Sequence, residues 1–301
     1  MKHLPDYGDF TIIYNWNMTE IDLSSLASVN CSVFRIASNP KMDTIKLPLL
    51  KNLSSTETDV FAPIPRVAVV IGGLSPNYCI YFHEMEQFLS LDNGDFNAIY
   101  ANYCARAPGD KSCDYPEEGC TRLVGDLKID ASFNDYSSLK TLESIFGRLI
   151  VSGTNLTNLD FLSSLKYIAP LGWVSMDIST LFYGNLRSRA FQLLNNSKLI
   201  DYTLPNLKRI RSDSRNQTVI QDNNAELLFN SKSCWGLEAA LINEYVTVDK
   251  LSCWNIDSNE SRRDRETRTL IMWIAIGVGS VALLIILILL CYCCCWKKKR
   301  A

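Results

Sequence analysis

Asn155-Leu-Thr-Asn-Leu-Asp-Phe-Leu-Ser-Ser-Leu-Lys-Tyr-Ile168 decides the fold, because the chain holds it twice. Asn17-Met-Thr-Glu-Ile-Asp-Leu-Ser-Ser-Leu-Ala-Ser-Val29 is the near copy, one residue shorter, with Ile21, Leu26 and Val29 on the beats of Leu159, Leu165 and Ile168. A second matched pair follows. Asn39-Pro-Lys-Met-Asp-Thr-Ile-Lys-Leu-Pro-Leu-Leu-Lys-Asn-Leu53 answers Asn196-Ser-Lys-Leu-Ile-Asp-Tyr-Thr-Leu-Pro-Asn-Leu-Lys-Arg-Ile210 at an offset of 157. Two matched pairs in one order mean one module present twice, and such self-similarity sets the architecture before local propensity does.

Within the second copy, Gly125-x-Leu127-x-Ile129 recurs 22 residues later as Gly147-x-Leu149-x-Val151. Short apolar strands are predicted at 174–176, 191–193 and 219–221. Between the strands run Leu-x-x-Leu-x-x-Ile beats at Leu139/Leu142/Ile145, Leu162/Leu165/Ile168 and Leu204/Leu207/Ile210. Spacings of about 17 to 28 residues are too short for helix crossovers and suit stacked parallel coils. No coil buries its apolar edge alone; stacking makes one core.

At 301 residues the chain has room for about two domains, and a net charge of −2 supplies no basic field for nucleic acid. Residues 269–292 carry no charge. As a helix rising 1.5 Å per residue they span roughly 36 Å, enough to cross a bilayer's hydrocarbon core. Lys and Arg number four on each flank, so the positive-inside rule is silent. Seven Asn-x-Ser/Thr sequons precede the span (Asn17, Asn30, Asn52, Asn155, Asn195, Asn216, Asn259), together with seven cysteines. With only two histidines and no paired Cys-x-x-Cys, zinc and other cofactors are not expected, and disulfides are. The body is therefore placed outside the cell, and 293–301 form a short basic cytoplasmic tail.

The ordered set of Cys120, Gly-x-Leu-x-Ile, the leucine beats, Gly-x-Leu-x-Val, Asn155-Leu-Thr and a closing run from Asn223 to Cys234 resembles the receptor L domain of insulin and EGF receptors. Two such modules joined directly and followed by a single span resemble the nematode single-pass, kinase-less receptor-L-domain proteins. The resemblance implies a mainly β fold of two right-handed, leucine-rich-like parallel β-helix modules in tandem. The expected boundaries are 1–104, 113–253, a stem at 254–268 and the transmembrane helix at 269–292. Two departures stand out. Only about eight residues join the copies, where the receptors have a cysteine-rich module, and no kinase follows the span.

In the repeat, Cys79 and Cys104 stand where Cys234 and Cys253 stand, so each pair is expected to bridge, with Cys113 paired to Cys120 at the start of the second module. Cys31 is left over: either its partner lies upstream or it is a free buried thiol. Residues 1–10 have no apolar signal-peptide core. Copy one has 16 residues before Asn17 where copy two has 35 from Cys120 to Asn155. Both suggest a first module truncated at its N-terminus.

Turn asparagines in stacked coils can point inward to satisfy backbone groups. Asn17, Asn39, Asn155 and Asn196 are assigned to such turns, although Asn17 and Asn155 are also sequons and are read as glycan carriers. Arg262-Arg263 reads as a dibasic protease site or, more simply, as a solvated run near lipid headgroups. Cys291, Cys293, Cys294 and Cys295 beside Trp296 suit S-palmitoylation. Ala275 and Gly279 offer a small-x-x-x-small pair for weak homodimerisation. His83 is read as a surface residue of a capping helix with Phe82, Met85 and Phe88 on its apolar face. The acids Asp126, Asp130, Asp160 and Asp177 are dispersed, unlike the clustered acids of polysaccharide-cleaving β-helices, so no enzyme is expected. The reading is a membrane-anchored ectodomain that binds a secreted peptide or a cell-surface receptor. It would serve as a co-receptor, decoy or modulator of insulin-like or EGF-like signalling, the alternative being a leucine-rich-repeat-like adhesion protein. Contact residues are sought on a broad strand face, with Tyr136, Trp173 and Tyr183 as candidates that core packing can equally explain.

Overall fold

The computed structural model describes residues 8–55, 66–106, 109–171, 189–212, 217–241 and 245–298. The strand expected at 174–176, the candidates Trp173 and Tyr183, and the sequon Asn216 lie outside them. The first half runs β1 (Phe10–Ile13), β2 (Glu20–Asp22), β3 (Ser28–Asn30), β4 (Val33–Ala37), β5 (Thr44–Lys46), β6 (Asn52–Ser54), β7 (Val67–Gly72), β8 (Cys79–Ile80), α1 (Phe82–Leu89), β9 (Gly94–Ile99) and β10 (Asn102–Tyr103). The second runs β11 (Arg122–Val124), β12 (Leu127–Ile129), β13 (Ser144–Phe146), β14 (Leu149–Ser152), β15 (Tyr167–Ile168), β16 (Phe191–Leu194), β17 (Arg209–Ile210), β18 (Thr218–Gln221), α2 (Ser231–Ala239), β19 (Thr247–Val248), β20 (Leu251–Ser252) and α3 (Cys253–Lys298).

The chain is mostly sheet, and the sheets are parallel except for the final β19–β20 pair. In the first half β1-β4-β7-β9 form one sheet, and β2-β5 and β3-β6 form two narrower ones. In the second half β11-β13-β15-β17 and β12-β14-β16-β18-β19-β20 alternate along the chain. Alternation explains the inner faces. Leu127/Ile129, Leu149/Val151 and Phe191/Leu193 stack in register, all buried. Each leucine beat closes the same turn: the amides of Leu26, Leu50, Leu142, Leu165 and Leu207 donate to the carbonyls of Leu23, Leu47, Leu139, Leu162 and Leu204.

The corners repeat as well. Tyr14, Ser38 and Gly73 follow β1, β4 and β7 with positive φ, and Gly153, Asn195 and Asp222 follow β14, β16 and β18 in the same way. This left-handed residue turns the chain out of the strand. The next residue points inward. Asn39, fully buried, accepts from the Asn15 amide at 2.8 Å and donates to the Ile12 carbonyl at 2.9 Å. Asn196 repeats this 157 residues on, accepting from the Thr154 amide at 3.0 Å and donating to the Val151 carbonyl at 3.1 Å. Asn223 continues the ladder to the Leu193 carbonyl at 2.9 Å. Asn17 stands two residues past the ladder position Asn15 and Asn155 one past Thr154, and both are exposed, so the inward role belongs to Asn15 instead.

The halves pack on one another. Phe82 of α1, Tyr103 of β10 and Phe146 of β13 form a ring cluster with centroids 4.8 to 5.2 Å apart. Glu86 of α1 accepts from Arg122 of β11 and, at 2.6 Å, from the Ser144 hydroxyl. Arg209 donates to the Leu91 and Asp92 carbonyls, while Arg211, 1 % exposed, donates to the carbonyls of Phe96, Ile99 and Pro170. Burial, and the nearby Arg66 charge, push the Arg209 guanidinium below its usual pKa.

Two predictions follow from these contacts. Asn196→Ala strands the Thr154 amide and Val151 carbonyl in the core and should cost about 3 kcal/mol in urea unfolding. The exposed Asn134→Ala should cost less than about 0.5 kcal/mol. Asp126 pairs with Arg148 across successive turns. Burial alone would raise the Asp126 carboxyl, but hydrogen bonds from Arg148 outweigh it and hold the pKa low. Because the folded value lies below the unfolded value of about 3.9, the stabilisation is present above that pH and fades as pH falls through the folded value. Asp126→Asn should therefore cost about 1 kcal/mol at pH 7, the gap to wild type closing below about pH 3.9.

Candidate functional site

Strand alternation gives the β1-β4-β7-β9 sheet an outer face of Thr11, Ile13, Val33, Arg35, Ala37, Ala68, Val70, Asp95 and Ala98. Most are small or aliphatic, and the aliphatic ones are only half-buried. Tyr14, 63 % exposed, closes one edge at its left-handed corner. Tyr100, 51 % exposed, closes the other and lies against Gly72, where an added Cβ would sit 2.9 Å from its ring. Gly72 is thus the residue that lets the ring lie there. Three strand spacings separate the two edges, about 14 Å. Arg35 stands in the middle, exposed, with no ion-pair or hydrogen-bond partner among the described residues. A broad, largely apolar floor with tyrosine edges, one acid in Asp95 and one exposed cation in Arg35 suits a protein or peptide surface better than a small metabolite.

The equivalent face of the second copy differs. There Gln192 replaces Arg35 and is buried, as is Val219 at the place of Val70. The corners beside it carry the exposed sequons Asn155 and Asn195. In the first copy Asn17 is exposed before β2, while Asn30 and Asn52 lie on the β3–β6 sheet. Asn259 is half-buried on α3. No sequon falls on β1, β4, β7 or β9.

Disulfides join Cys79 to Cys104 and Cys234 to Cys253, with Cα atoms 4.9 and 5.4 Å apart, and Cys113 to Cys120. Cys31 is a free, buried thiol, its pKa raised by burial. Tyr136 packs between Phe133 and Phe161 and so belongs to the core. His83 is exposed on α1, its ring stacked on Tyr81 beside a cleft of about 560 Å³ that Lys46 and Glu84 also line. Among the described residues no three His, Cys, Asp or Glu side chains stand together as a metal site. α3 is the one described helix long and apolar enough to cross a membrane, with a window of mean hydropathy 2.8. Cys291, Cys293, Cys294 and Cys295 lie in its last turns, their side chains outside the described residues.

The sequence signals for this face were weak. Thr11, Ile13, Val33 and Val70 read like any alternating strand, and Tyr14 and Tyr100 acquire meaning only when the strands are laid side by side. The left-handed corner after each strand is what marks Tyr14.

Comparison with known proteins gives one positive result: residues 119–239 match the family model described as the receptor L domain. No curated protein and no solved structure matches the chain. The match covers the leucine beats and the Asn196–Asn223 ladder, from just before Cys120 to the end of α2. The second half of the chain thus carries a receptor L domain, at residues 119–239.

Proposed function

We propose that the chain is a non-enzymatic, membrane-anchored ligand-binding ectodomain, and that the open face of β1-β4-β7-β9 is where a secreted peptide or a cell-surface receptor docks. The observation that carries this is the face itself: largely apolar, edged by exposed Tyr14 and Tyr100, centred on Arg35 and clear of sequons. A receptor L domain in the second half supports ligand binding over catalysis. On this reading both halves are right-handed parallel β-helix modules, at 1–104 and 113–253. The stem is 254–268, the span 269–292 and the cytoplasmic tail 293–301. The body lies outside the cell and the tail cysteines Cys291, Cys293, Cys294 and Cys295 are palmitoylated. Ala275 and Gly279 allow weak pairing of two spans. Its role on this reading is that of a co-receptor, decoy or modulator of insulin-like or EGF-like peptides.

Binding of the purified ectodomain to a panel of secreted insulin-like and EGF-like peptides tests this. One or more should bind, and Val70→Arg, which plants a second positive charge on the face, should weaken binding by at least about tenfold without lowering the melting temperature. Tight binding to a cell-surface protein and to no peptide selects the adhesion reading, and binding indifferent to Val70→Arg removes the face from the site. The extracellular placement has its own check. Enzymatic deglycosylation in heavy-oxygen water should label the exposed Asn17, Asn52, Asn155 and Asn195, and a secreted body with none labelled contradicts it.

A further inference from the structure

The stem expected at 254–268 is helical and continuous with the apolar segment, as α3 runs unbroken from Cys253 to Lys298. Its first three turns lie on the second copy. Cys253 and Ile256 are buried, and Glu260 and Arg263 share their stripe at helical spacing. The Glu260 carboxylate accepts from the Ser231 amide at 2.9 Å, capping the first turn of α2, where the helix dipole favours an anion. Arg263 donates to Glu226 at 2.6 Å and lies over the Phe229 ring, 4.2 Å from its centroid. From Asp264 to Leu289 every side chain of α3 is exposed, so Arg263 is where the rod leaves the body.

Both covalent links between body and rod meet at one residue. The chain enters α3 at Cys253, and the disulfide to Cys234 ends there too. The polar contacts lie seven and ten residues further down, about 10 and 15 Å along the axis. We propose that α3 is a hinge and latch: Cys253 is the pivot, Glu260 and Arg263 are the latch onto α2 and the 225–229 turn, and the closed latch shields the Arg262-Arg263 bond from trypsin-like proteases. On the reading that the span begins at Thr269, the closed latch holds the body within about 9 Å of helix above the bilayer. Opening it leaves the body joined to the rod only at Cys253, about 24 Å up. The same opening unwinds the support of a dibasic bond that a protease must bind in extended form, so posture and shedding are governed by one contact.

The test is limited trypsin digestion of the full chain in lipid nanodiscs, with cleavage after Arg262 and Arg263 followed by mass spectrometry. Both arginines are kept in place. Glu226→Gln/Glu260→Gln should speed those two cleavages by about tenfold, the scale set by an exposed ion pair, a cation–π contact and a charged helix cap together. Phe229→Ala, a second route to the same opening, should speed them too. Cleavage after Arg148, in the body, should not change in either variant. Equal rates in wild type and both variants overturn the latch. So does wild-type cleavage at Arg262-Arg263 as fast as in the reduced, urea-unfolded chain. Because no ligand is involved, these outcomes are independent of whether the open sheet face binds a peptide.

Discussion

Each coil in this chain depends on its neighbour for hydrogen bonds as well as for burial. A short strand followed by a sharp left-handed corner leaves backbone amides and carbonyls facing the interior, where no water reaches them. Asn39 in the first copy, and Asn196 and Asn223 in the second, meet that need from inside the turn, each bonding the backbone of the adjacent coil, while Asn15 bonds the Ile13 carbonyl of its own turn. An unpaired buried amide costs more than the bond itself contributes, so the ladder constrains register more than it adds stability. Around it the leucine beats supply the apolar volume.

The two halves share this ladder and these corners, and their surfaces differ. Asn52 and Ser54 on β6, the two ends of a sequon, face outward, whereas their counterparts, Arg209 on β17 and Arg211 just past it, are buried against the first copy. Arginine suits that joint because its planar donors reach several carbonyls at once. The other sheet diverged in the opposite sense: open and apolar in the first copy, covered and flanked by sequons in the second. One copy thus presents an open surface, and the other carries the long apolar helix α3.

The repeat, the leucine beats, the mostly parallel sheets and the receptor L domain were legible in the sequence, because stacking imposes a spacing that two copies repeat. Asn39 and Asn196 were legible for the same reason. Asn15 and Asn223 were not, since what defines them is the positive φ of the residue before, which no local motif announces. Arg209 and Arg211 were invisible as joint residues because their partners are carbonyls more than 100 residues away. The stem was read as a solvated polar run; the stripe of Cys253, Ile256, Glu260 and Arg263 was the signal for a docked helix, masked by the charges between them. Tyr136 drew attention as an aromatic and proved to be half-buried, packed with Phe133 and Phe161 against the core.

Residue-resolved hydrogen exchange on the secreted ectodomain tests the stacked-coil architecture most directly. If the coils form one cooperative stack, the strand amides of β14, β16 and β18, together with the Thr154 amide held by Asn196, exchange only through global unfolding and share one free energy of opening. Amides on β16 or β18 that exchange as fast as those of the exposed corners would contradict a stack, and with it the reading of the chain as duplicated coils.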